Sequence, residues 1–211
     1  MTLTQIYRSD RNVLDAAKER ISFVFDNFEE IHVSVSGGKD STVLAHLALT
    51  EAKRRNRRVG IFFLDEEVVY QSTIEMVEYI IEDMVPGHAI PLWLQIEFHL
   101  TNATSLTATQ FIPWEAGKHK LWMRPKKSYA IKFPPWDRSG ETVQDKNKGF
   151  GFYDVFENFE RCYSNAAFLV GLRGTESPNR WRTVSKNPAE IGGEKIFWAT
   201  KKGDNYAMYP L

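Results

Sequence analysis

Short apolar runs alternate with amphipathic stretches along the first half of the chain, and this alternation restricts the fold more than any other feature. The runs IHVSV, RVGIFFLD and IPLWLQIEF predict strands over residues 31–35, 58–65 and 90–98, with helices that begin near Asp40 and Gln71 between them. The second run is almost continuously apolar, which is typical of a parallel strand covered on both faces. Because alternating strands and helices favour right-handed crossovers, the sequence predicts an α/β fold with a parallel, Rossmann-like sheet and helices on both faces.

The regular pattern stops after His99 and returns near residue 153. Between about residues 100 and 150 the chain is rich in Trp, Pro and Lys, has no clear period and is too long for an ordinary connection. We interpret this segment as an irregular insert, which forms either a functional lid or an inserted lobe. A helix over residues 153–163, a strand over 166–172 and two short terminal strands joined at Gly203 and Asp204 follow. The 211 residues therefore predict a single domain with one insert.

The composition excludes several classes of protein. Lys and Arg together number 27, as do Asp and Glu, so no global field attracts nucleic acid or an anionic membrane. Cys162 is the single cysteine, which predicts that the chain has no internal disulfide and no iron–sulfur cluster, and we expect a buried thiol there. No apolar run reaches the roughly 20 residues of a membrane span. The first residues do not form a signal peptide, so the sequence predicts a cytoplasmic protein without membrane contact.

The segment VSVSGGKDSTVLAHL joins the first strand to the following helix and predicts a phosphate-binding loop, because backbone amides face outward at the positive end of a helix dipole. The glycines allow close backbone approach and a positive φ. The serines add hydroxyl groups, the lysine adds a cation, and the aspartate either caps the helix or holds a metal ion that accompanies the phosphates. The spacing fits neither Walker A nor the dinucleotide G-x-G-x-x-G pattern. The loop residues are Ser36, Gly37, Gly38, Lys39, Asp40 and Ser41.

These six residues match Ser-Gly-Gly-x-Asp-Ser at every position, so the chain resembles the PP-loop superfamily of ATP pyrophosphatases and sulfonucleotide reductases. The resemblance implies that residues 36–41 hold a pyrophosphate group. It also implies that the end of the second strand, at Asp65 in the segment FFLDEE, receives the adenosine moiety. A solvated acidic turn is the alternative interpretation of Asp65.

A second segment, VGLRGTESPNRWR, resembles the Gly-(Ile/Leu)-Arg-x-x-Glu-Ser-x-x-Arg element of proteins similar to phosphoadenosine phosphosulfate (PAPS) reductase. It supplies Gly171, Arg173, Glu176 and Arg180. Two arginines at a strand end can place planar forks on phosphate or sulfate oxygens, whereas surface salt bridges are the alternative. The resemblance assigns Arg173 and Arg180 to those oxygens and Glu176 to the orientation of an arginine.

The chain resembles the IbrA-like subgroup of the PAPS reductase family over almost its whole length. Three segments carry this resemblance: VLDAAKERISFVFDNFEEIHVSVSGGKDSTVLAHL, GLRGTESPNRWRTV and YAMYPL. This resemblance implies an adenine nucleotide alpha-hydrolase-like fold, ATP or PAPS as ligand and, as in some relatives, a ParB-like protein partner. Such relatives continue beyond the position of YPL, so we expect a truncated C-terminal part. True PAPS reductases use a cysteine in a Glu-Cys-Gly-x-His setting near the C-terminus, which this chain lacks. We therefore expect no thiol-dependent reduction.

Superfamily members that keep the loop without the reductase cysteine commonly cleave ATP between the α and β phosphates. The resemblance thus implies adenylyl transfer with pyrophosphate release, or sulfur transfer from a sulfonucleotide, with Lys39, Asp40 and Arg173 as catalytic residues and Mg²⁺ on Asp40. Two other classes of function stay open. One is a nucleotide-sensing module without turnover that works with a ParB-like regulator, and the other is a component of a nucleic-acid-modifying system.

The insert carries the nucleic-acid hypothesis. Aromatic platforms beside cations suit single-stranded nucleic acid or a nucleotide. A lobe with a small core and a solvated charged rim has the same composition, and we favour that interpretation. The residues concerned are Trp114, Trp122, Tyr129 and Trp136 with Lys118, Lys120, Lys126, Lys127 and Lys132.

Overall fold

The computed structural model describes residues 11–102, 107, 109–142, 144, 148–173, 177, 180, 182–183 and 187–211. The helices are α1 (Val13–Asn27), α2 (Lys39–Arg54), α3 (Gln71–Glu82) and α4 (Phe152–Glu160), with a short 3₁₀ helix at His119–Leu121. The strands are β1 (Ile31–Ser34), β2 (Val59–Leu64), β3 (Ala89–Leu94), β4 (Leu100–Thr101), β5 (Gln110–Phe111), β6 (Ala167–Val170), β7 (Ala189–Ile191), β8 (Glu194–Ile196), β9 (Ala199–Lys202) and β10 (Asn205–Met208). Among the helices in these ranges, none has the length and apolar character needed to cross a membrane.

Six strands form the central sheet, in the order β3-β2-β1-β6-β10-β9. The strands from β3 to β10 pair in parallel, and β9 joins β10 in antiparallel orientation at one edge. β2 is buried along its whole length, as expected for a strand between two covered faces. The predicted α/β fold with a mostly parallel sheet is therefore confirmed. The terminal strand pair does more than form a hairpin, because β10 extends the parallel sheet next to β6.

Successive side chains of β2 enter two different hydrophobic clusters, because side chains alternate between the faces of a strand. Ile61 and Phe63 lie in the cluster that contains the buried residues of α1, α2 and α3. Phe62 and Leu64 lie in the other cluster, with Val155 and other residues of α4 and part of the insert. Helices thus cover both faces of the sheet, as the alternation of the sequence predicts.

The insert packs against the end of β3. The amide of Gln95 donates to the carbonyl of Ile131 at 3.0 Å, and the amide of Ile131 donates to the carbonyl of Trp93 at 2.8 Å. Trp114 is 1% exposed and Trp136 is 9% exposed, whereas Trp122 is half-buried. Trp136 belongs to the same hydrophobic cluster as Phe62 and Leu64, so this part of the insert packs on the core of the sheet, and the choice between a lobe and a lid stays a prediction.

A histidine lies in the apolar layer between β1 and α4. His32 is 4% exposed, and its ring centroid lies 4.2 Å from that of Tyr163 and 5.0 Å from that of Phe168. Neither ring nitrogen has a hydrogen-bond partner, and the carboxylate of Glu30 is 3.7 Å away and mostly exposed. Burial lowers the pKa of His32 to about 4, so the ring is neutral at pH 7.

The expectation of a buried thiol is wrong, because Cys162 is exposed. It lies in the turn after α4, where its Sγ is 3.5 Å from the carbonyl oxygen of Asn158. Desolvation nevertheless raises the pKa of the thiol, which disfavours the nucleophilic thiolate.

Candidate active site at the β1–α2 loop

The loop between β1 and α2 bends at Gly37, whose φ is +72°. A β-carbon at Gly37 would lie 2.8 Å from Cγ2 of Thr73 and 3.2 Å from the carbonyl oxygen of Thr73. Both the left-handed backbone and the contact with the start of α3 therefore require glycine. Gly38 is the N-cap of α2, and Asp40 lies in the first helical turn. The alternative in which Asp40 caps the helix is therefore wrong.

Two serines brace this bend from inside. The hydroxyl oxygen of Ser41 accepts a hydrogen bond from the amide of Ser36 at 3.1 Å. The Ser41 hydroxyl also donates to the carbonyl of Gly38 at 3.0 Å. Because a hydroxyl has a single proton and Ser41 is buried, its hydroxyl supports the loop and has no donor left for an anion. The expectation that the Ser41 hydroxyl donates to a bound phosphate is therefore wrong. Ser36, by contrast, is exposed.

The start of α2 has the features of an anion site. No side chain caps this helix, and the first amides of a helix have no acceptor within it. The amides of Lys39 and Asp40 are therefore available at the positive end of the dipole. Lys39 is exposed and adds a full positive charge. Together these groups can bind a phosphate or sulfate group.

The end of β6 meets the start of α2, which brings together two residues that the sequence places 133 positions apart. Nη2 of Arg173 donates to Oδ2 of Asp40 at 3.1 Å, and the Arg173 side chain is 40% exposed. Gly171 permits this approach, because a β-carbon there would lie 3.0 Å from the amide nitrogen of Ser41 and 3.1 Å from the carbonyl carbon of Asp40. Asp40 and Arg173 thus form an ion pair beside the loop.

The remaining residues of the second predicted element are less fully described. Glu176, predicted to orient an arginine, lies outside the described residues. Arg180 is exposed, and its backbone amide donates to Oγ of Ser177 at 3.2 Å. The assignment of the Arg180 guanidinium group to phosphate or sulfate oxygens stays a prediction.

A cavity of about 140 Å³ lies beside the loop at the carboxyl ends of β1 and β2. Ser36 and Thr73 form its edge towards the loop, and Phe152 and Phe156 of α4 form its aromatic wall. In parallel α/β sheets, ligands bind outside the carboxyl ends of the strands. The two phenylalanines were missed by sequence reasoning: they stand four residues apart and share one face of α4, but the predicted helix began at residue 153, after Phe152.

Glu66 also lines this cavity. Burial, and then the nearby charge of Asp65, raises the pKa of the Glu66 carboxyl. The Glu66 carboxyl thus places a polar group with hydrogen-bonding oxygens beside an apolar wall. Sequence reasoning missed Glu66, and its position directly after the second predicted strand was the available signal.

Asp65 does not face this cavity. Its carboxylate is 0% exposed and accepts hydrogen bonds from Nε1 of Trp93 at 2.8 Å and Nε2 of Gln95 at 2.9 Å. It also accepts from the amide of Glu67 at 2.9 Å and forms an ion pair with Arg124. The backbone of Asp65 is paired as well, with Leu94 and with the indole of Trp114. The geometry therefore corrects the expectation that Asp65 receives adenosine, because the residue has no polar group left for a ligand.

Glu67 holds the insert against the same strand end. It is 5% exposed, and its carboxylate accepts from the amide of Trp114 at 2.6 Å and from the amide of Met123 at 3.2 Å. Nη1 of Arg124 donates to the carbonyl of Glu67 at 2.7 Å. The acidic turn FFLDEE is thus not a solvated turn: Asp65 and Glu67 anchor the insert, and Glu66 faces the cavity.

Several lysines of the insert have partners within the fold. Lys118 forms an ion pair with Glu115 at 2.7 Å, and Lys127 forms one with Glu78. Lys120 and Lys132 are exposed. These pairings agree with a lobe that has a charged rim, and nucleic-acid binding through the insert stays a prediction.

Within the described ranges, no group of three or more His, Cys, Asp and Glu side chains could hold a metal ion. Mg²⁺ is commonly held by one or two carboxylates together with the phosphates of a substrate. The Asp40 carboxylate at the loop fits that arrangement, but not a metal site built from protein ligands alone.

Comparison with known sequences identifies the family of the chain. A sequence model of the phosphoadenosine phosphosulfate reductase domain matches residues 30–187, which include the loop, the acidic turn and the insert. The chain belongs to the phosphoadenosine phosphosulfate reductase family. The predicted resemblance to the PAPS reductase family and the wider PP-loop superfamily is confirmed.

A curated protein is similar to this chain over nearly the whole length of the chain. The chain is 27% identical over 213 residues to the uncharacterized protein YbdN of Escherichia coli (strain K12), and the alignment covers 95% of this chain and 48% of that protein. The chain thus spans about half the length of the curated relative that it matches. No solved structure matches the chain.

Proposed function

We propose that the chain binds an adenine nucleotide with its phosphates over the β1–α2 loop and its base in the adjoining cavity. The observation that carries the proposal is that Ser36 belongs both to the loop that leads into the uncapped start of α2 and to the wall of the cavity. The cavity of about 140 Å³ is smaller than the ~300 Å³ or more of pockets that enclose a whole ligand. It therefore suits one ring system, with the rest of the nucleotide lying over the loop.

The reaction that we propose is adenylyl transfer from ATP, with sulfur transfer from PAPS as the alternative. A nucleophilic oxygen of an acceptor attacks the α phosphorus, and the bond from that phosphorus to the bridging oxygen of the β phosphate breaks. AMP becomes joined to the acceptor, and the electron pair leaves with pyrophosphate. Such a step needs positioning and charge neutralisation rather than a protein nucleophile.

The loop residues supply that neutralisation. The amides at the start of α2 and the Lys39 ammonium group bind the departing pyrophosphate, and Arg173 contributes its guanidinium fork. Asp40 either keeps Arg173 in place through their ion pair or holds Mg²⁺ together with the phosphates. When bound, Mg²⁺ neutralises phosphate charge. Lys39, Asp40 and Arg173 are the catalytic residues of this proposal.

The cavity supplies recognition of the base. Phe156 and Phe152 offer aromatic faces for a planar ring. The Glu66 carboxyl provides a polar group at the same cavity, where its oxygens can accept a hydrogen bond from the exocyclic amino group of adenine. Stacking and one directed hydrogen bond are the usual means by which proteins bind a nucleobase.

The position of Cys162 argues against thiol-dependent reduction. Helix α4 begins at the cavity with Phe152 and ends at Glu160, and Cys162 follows it. Phe156 is the cavity residue nearest to Cys162 in the chain, and at 1.5 Å per residue the six positions between them correspond to about 9 Å along the helix axis. The raised pKa of Cys162 further disfavours the thiolate that such chemistry requires.

The direct test is nucleotide binding by the variant Lys39→Ala/Arg173→Ala. We expect its affinity for ATP or PAPS with Mg²⁺ to fall at least ten-fold, about 1.4 kcal/mol, in calorimetric titration, because two cations leave the phosphate site. Lys53→Ala is the matched control, since Lys53 is an exposed lysine in the last turn of the same helix, and it should bind like the wild type. Unchanged affinity in the double variant would rule out the proposed site.

A pyrophosphate assay separates the reaction from binding. Release of pyrophosphate from ATP supports adenylyl transfer, whereas binding without turnover supports a nucleotide-sensing module, with a ParB-like regulator as its proposed partner. Binding of PAPS in preference to ATP supports the sulfonucleotide alternative.

A further inference from the structure

A second and larger cavity, of about 670 Å³, lies between the insert and the chain that continues from β3. Its volume is within the ~300 to 1,000 Å³ typical of sites that enclose a small molecule. Trp114 and Trp122 line one side, and Phe133 and Phe150 line another. We call it the insert cavity. It is separate from the 140 Å³ cavity beside the loop, because the two share no lining residue.

The insert cavity contains positive charge that the protein does not neutralise. Lys126 and Lys132 line it, and among the described residues neither forms an ion pair with a carboxylate. Nζ of Lys126 lies 4.8 Å from the ring centroid of Trp122 and 5.7 Å from that of Trp114. Burial lowers the pKa of Lys126, because its ammonium group is partly stripped of water, and the nearby carboxylates of Glu97 and Glu67 offset this effect only in part.

The other charged groups of this cavity already have partners. Glu97 accepts from the amide of Ala116, and Glu115 forms an ion pair with Lys118. Arg138 forms an ion pair with Glu141 at 2.6 Å, and its guanidinium carbon lies 4.5 Å from the ring centroid of Phe150. The amide of Ala116 does not neutralise Glu97, but Lys126 and Lys132 outnumber this carboxylate, so the cavity favours an anionic ligand.

The aromatic lining determines the shape of the ligand. The Phe133 side chain is 79% exposed at the cavity, although a large apolar ring normally gains by burial. Trp122 is half-buried and also presents ring surface. A flat, unsaturated ligand would cover these rings, whereas an aliphatic or strongly hydrated ion would leave them in water.

We propose that the insert cavity is a binding site for a small planar aromatic anion, held by Lys126 and Lys132 and stacked among the aromatic side chains. The cavity adjoins the nucleotide site: Phe98 lines the insert cavity, Phe152 lines the smaller one, and their ring centroids are 6.4 Å apart. A role of this cavity in holding the acceptor of the adenylyl group rests on the proposed function. Binding of the anion does not.

The test compares two dyes with the same rings, the anion anilinonaphthalene sulfonate and the neutral phenylnaphthylamine, by fluorescence titration of the nucleotide-free chain. We expect Lys126→Gln/Lys132→Gln to weaken binding of the anion about ten-fold, and Lys132→Gln alone about three-fold, because each change removes one cation. Lys132 is exposed, so the single variant does not disturb the fold. Lys120→Gln, an exposed lysine of the insert that does not line the cavity, is the matched control.

Lys39→Ala/Arg173→Ala should bind the anionic dye like the wild type, which separates this site from the nucleotide site. The proposal is overturned if the wild type binds the neutral dye as tightly as the anion. It is equally overturned if Lys126→Gln/Lys132→Gln and Lys120→Gln bind the anion alike. A failure of nucleotide binding leaves these outcomes unaffected.

Discussion

Replacing Asp65 with alanine is expected to lower the free energy of unfolding by about 3 to 5 kcal/mol, because it leaves a largely buried arginine without its carboxylate. Arg124 has a side chain only 14% exposed and pairs with the fully buried Asp65. The change also leaves the indole of Trp93 and the amide of Gln95 without their acceptor. Each such buried donor adds to the loss. Urea unfolding at pH 7.5 measures the effect.

The matched control is Asp26→Ala. Asp26 is also an aspartate in an ion pair with an arginine, at 2.6 Å from Arg55, but its side chain is 60% exposed. An exposed pair contributes only about 0 to 1 kcal/mol, since water solvates both groups when the pair is broken. A loss at Asp65 no greater than the loss at Asp26 would show that the acidic turn does not anchor the insert.

The stability of the chain should depend on His32 between pH 6.5 and pH 4. Burial lowers the pKa of His32 from 6.5 to about 4 in the folded state. As the pH falls below 6.5, the unfolded chain takes up a proton at this ring and the folded chain does not, so stability is lost until the pH passes below 4. The pKa change corresponds to about 3 kcal/mol. Above pH 6.5 the ring is neutral in both states and contributes no pH dependence.

The variant His32→Leu isolates this effect. Leucine is apolar and has no proton to bind, so we expect its stability to fall by about 2 to 3 kcal/mol less than that of the wild type between pH 7.5 and pH 4.5 in urea unfolding. Comparison at two pH values removes the contributions of other groups, which are common to both proteins. His46→Ala, at an exposed position of α2, should lose as much stability between the two pH values as the wild type does. Parallel curves for His32→Leu and the wild type would contradict the assignment.

Local patterns were enough to predict the elements of the sheet. The run RVGIFFLD predicts a strand over residues 58–65, and β2 extends from Val59 to Leu64 with every residue buried. The bend at Gly37 follows from local chemistry as well, because small residues between a strand and a helix are needed wherever φ is positive. Such features depend on neighbours a few positions away, and the sequence contains those neighbours.

The assignments that failed depend on distant contacts. Asp65 meets Gln95 and Arg124, which are 30 and 59 positions further along the chain, and these partners occupy its carboxylate. No local pattern distinguishes Asp65 from Glu66, although one is buried against the insert and the other lines the cavity. Cys162 falls within a predicted helix together with Phe159 and Tyr163, yet α4 ends at Glu160 and leaves the thiol in a surface turn.

The sequence by itself thus determined the parallel sheet, the order of strands and helices along the chain, and the glycine bend that leads into α2, because apolar periodicity and glycine stereochemistry act over a few residues. Only the tertiary structure decided that Arg173 pairs with Asp40, that Phe156 lines the cavity beside Ser36, and that two lysines of the insert line one cavity together with aromatic rings. Those contacts join residues far apart in the chain, and their formation depends on how the whole core packs.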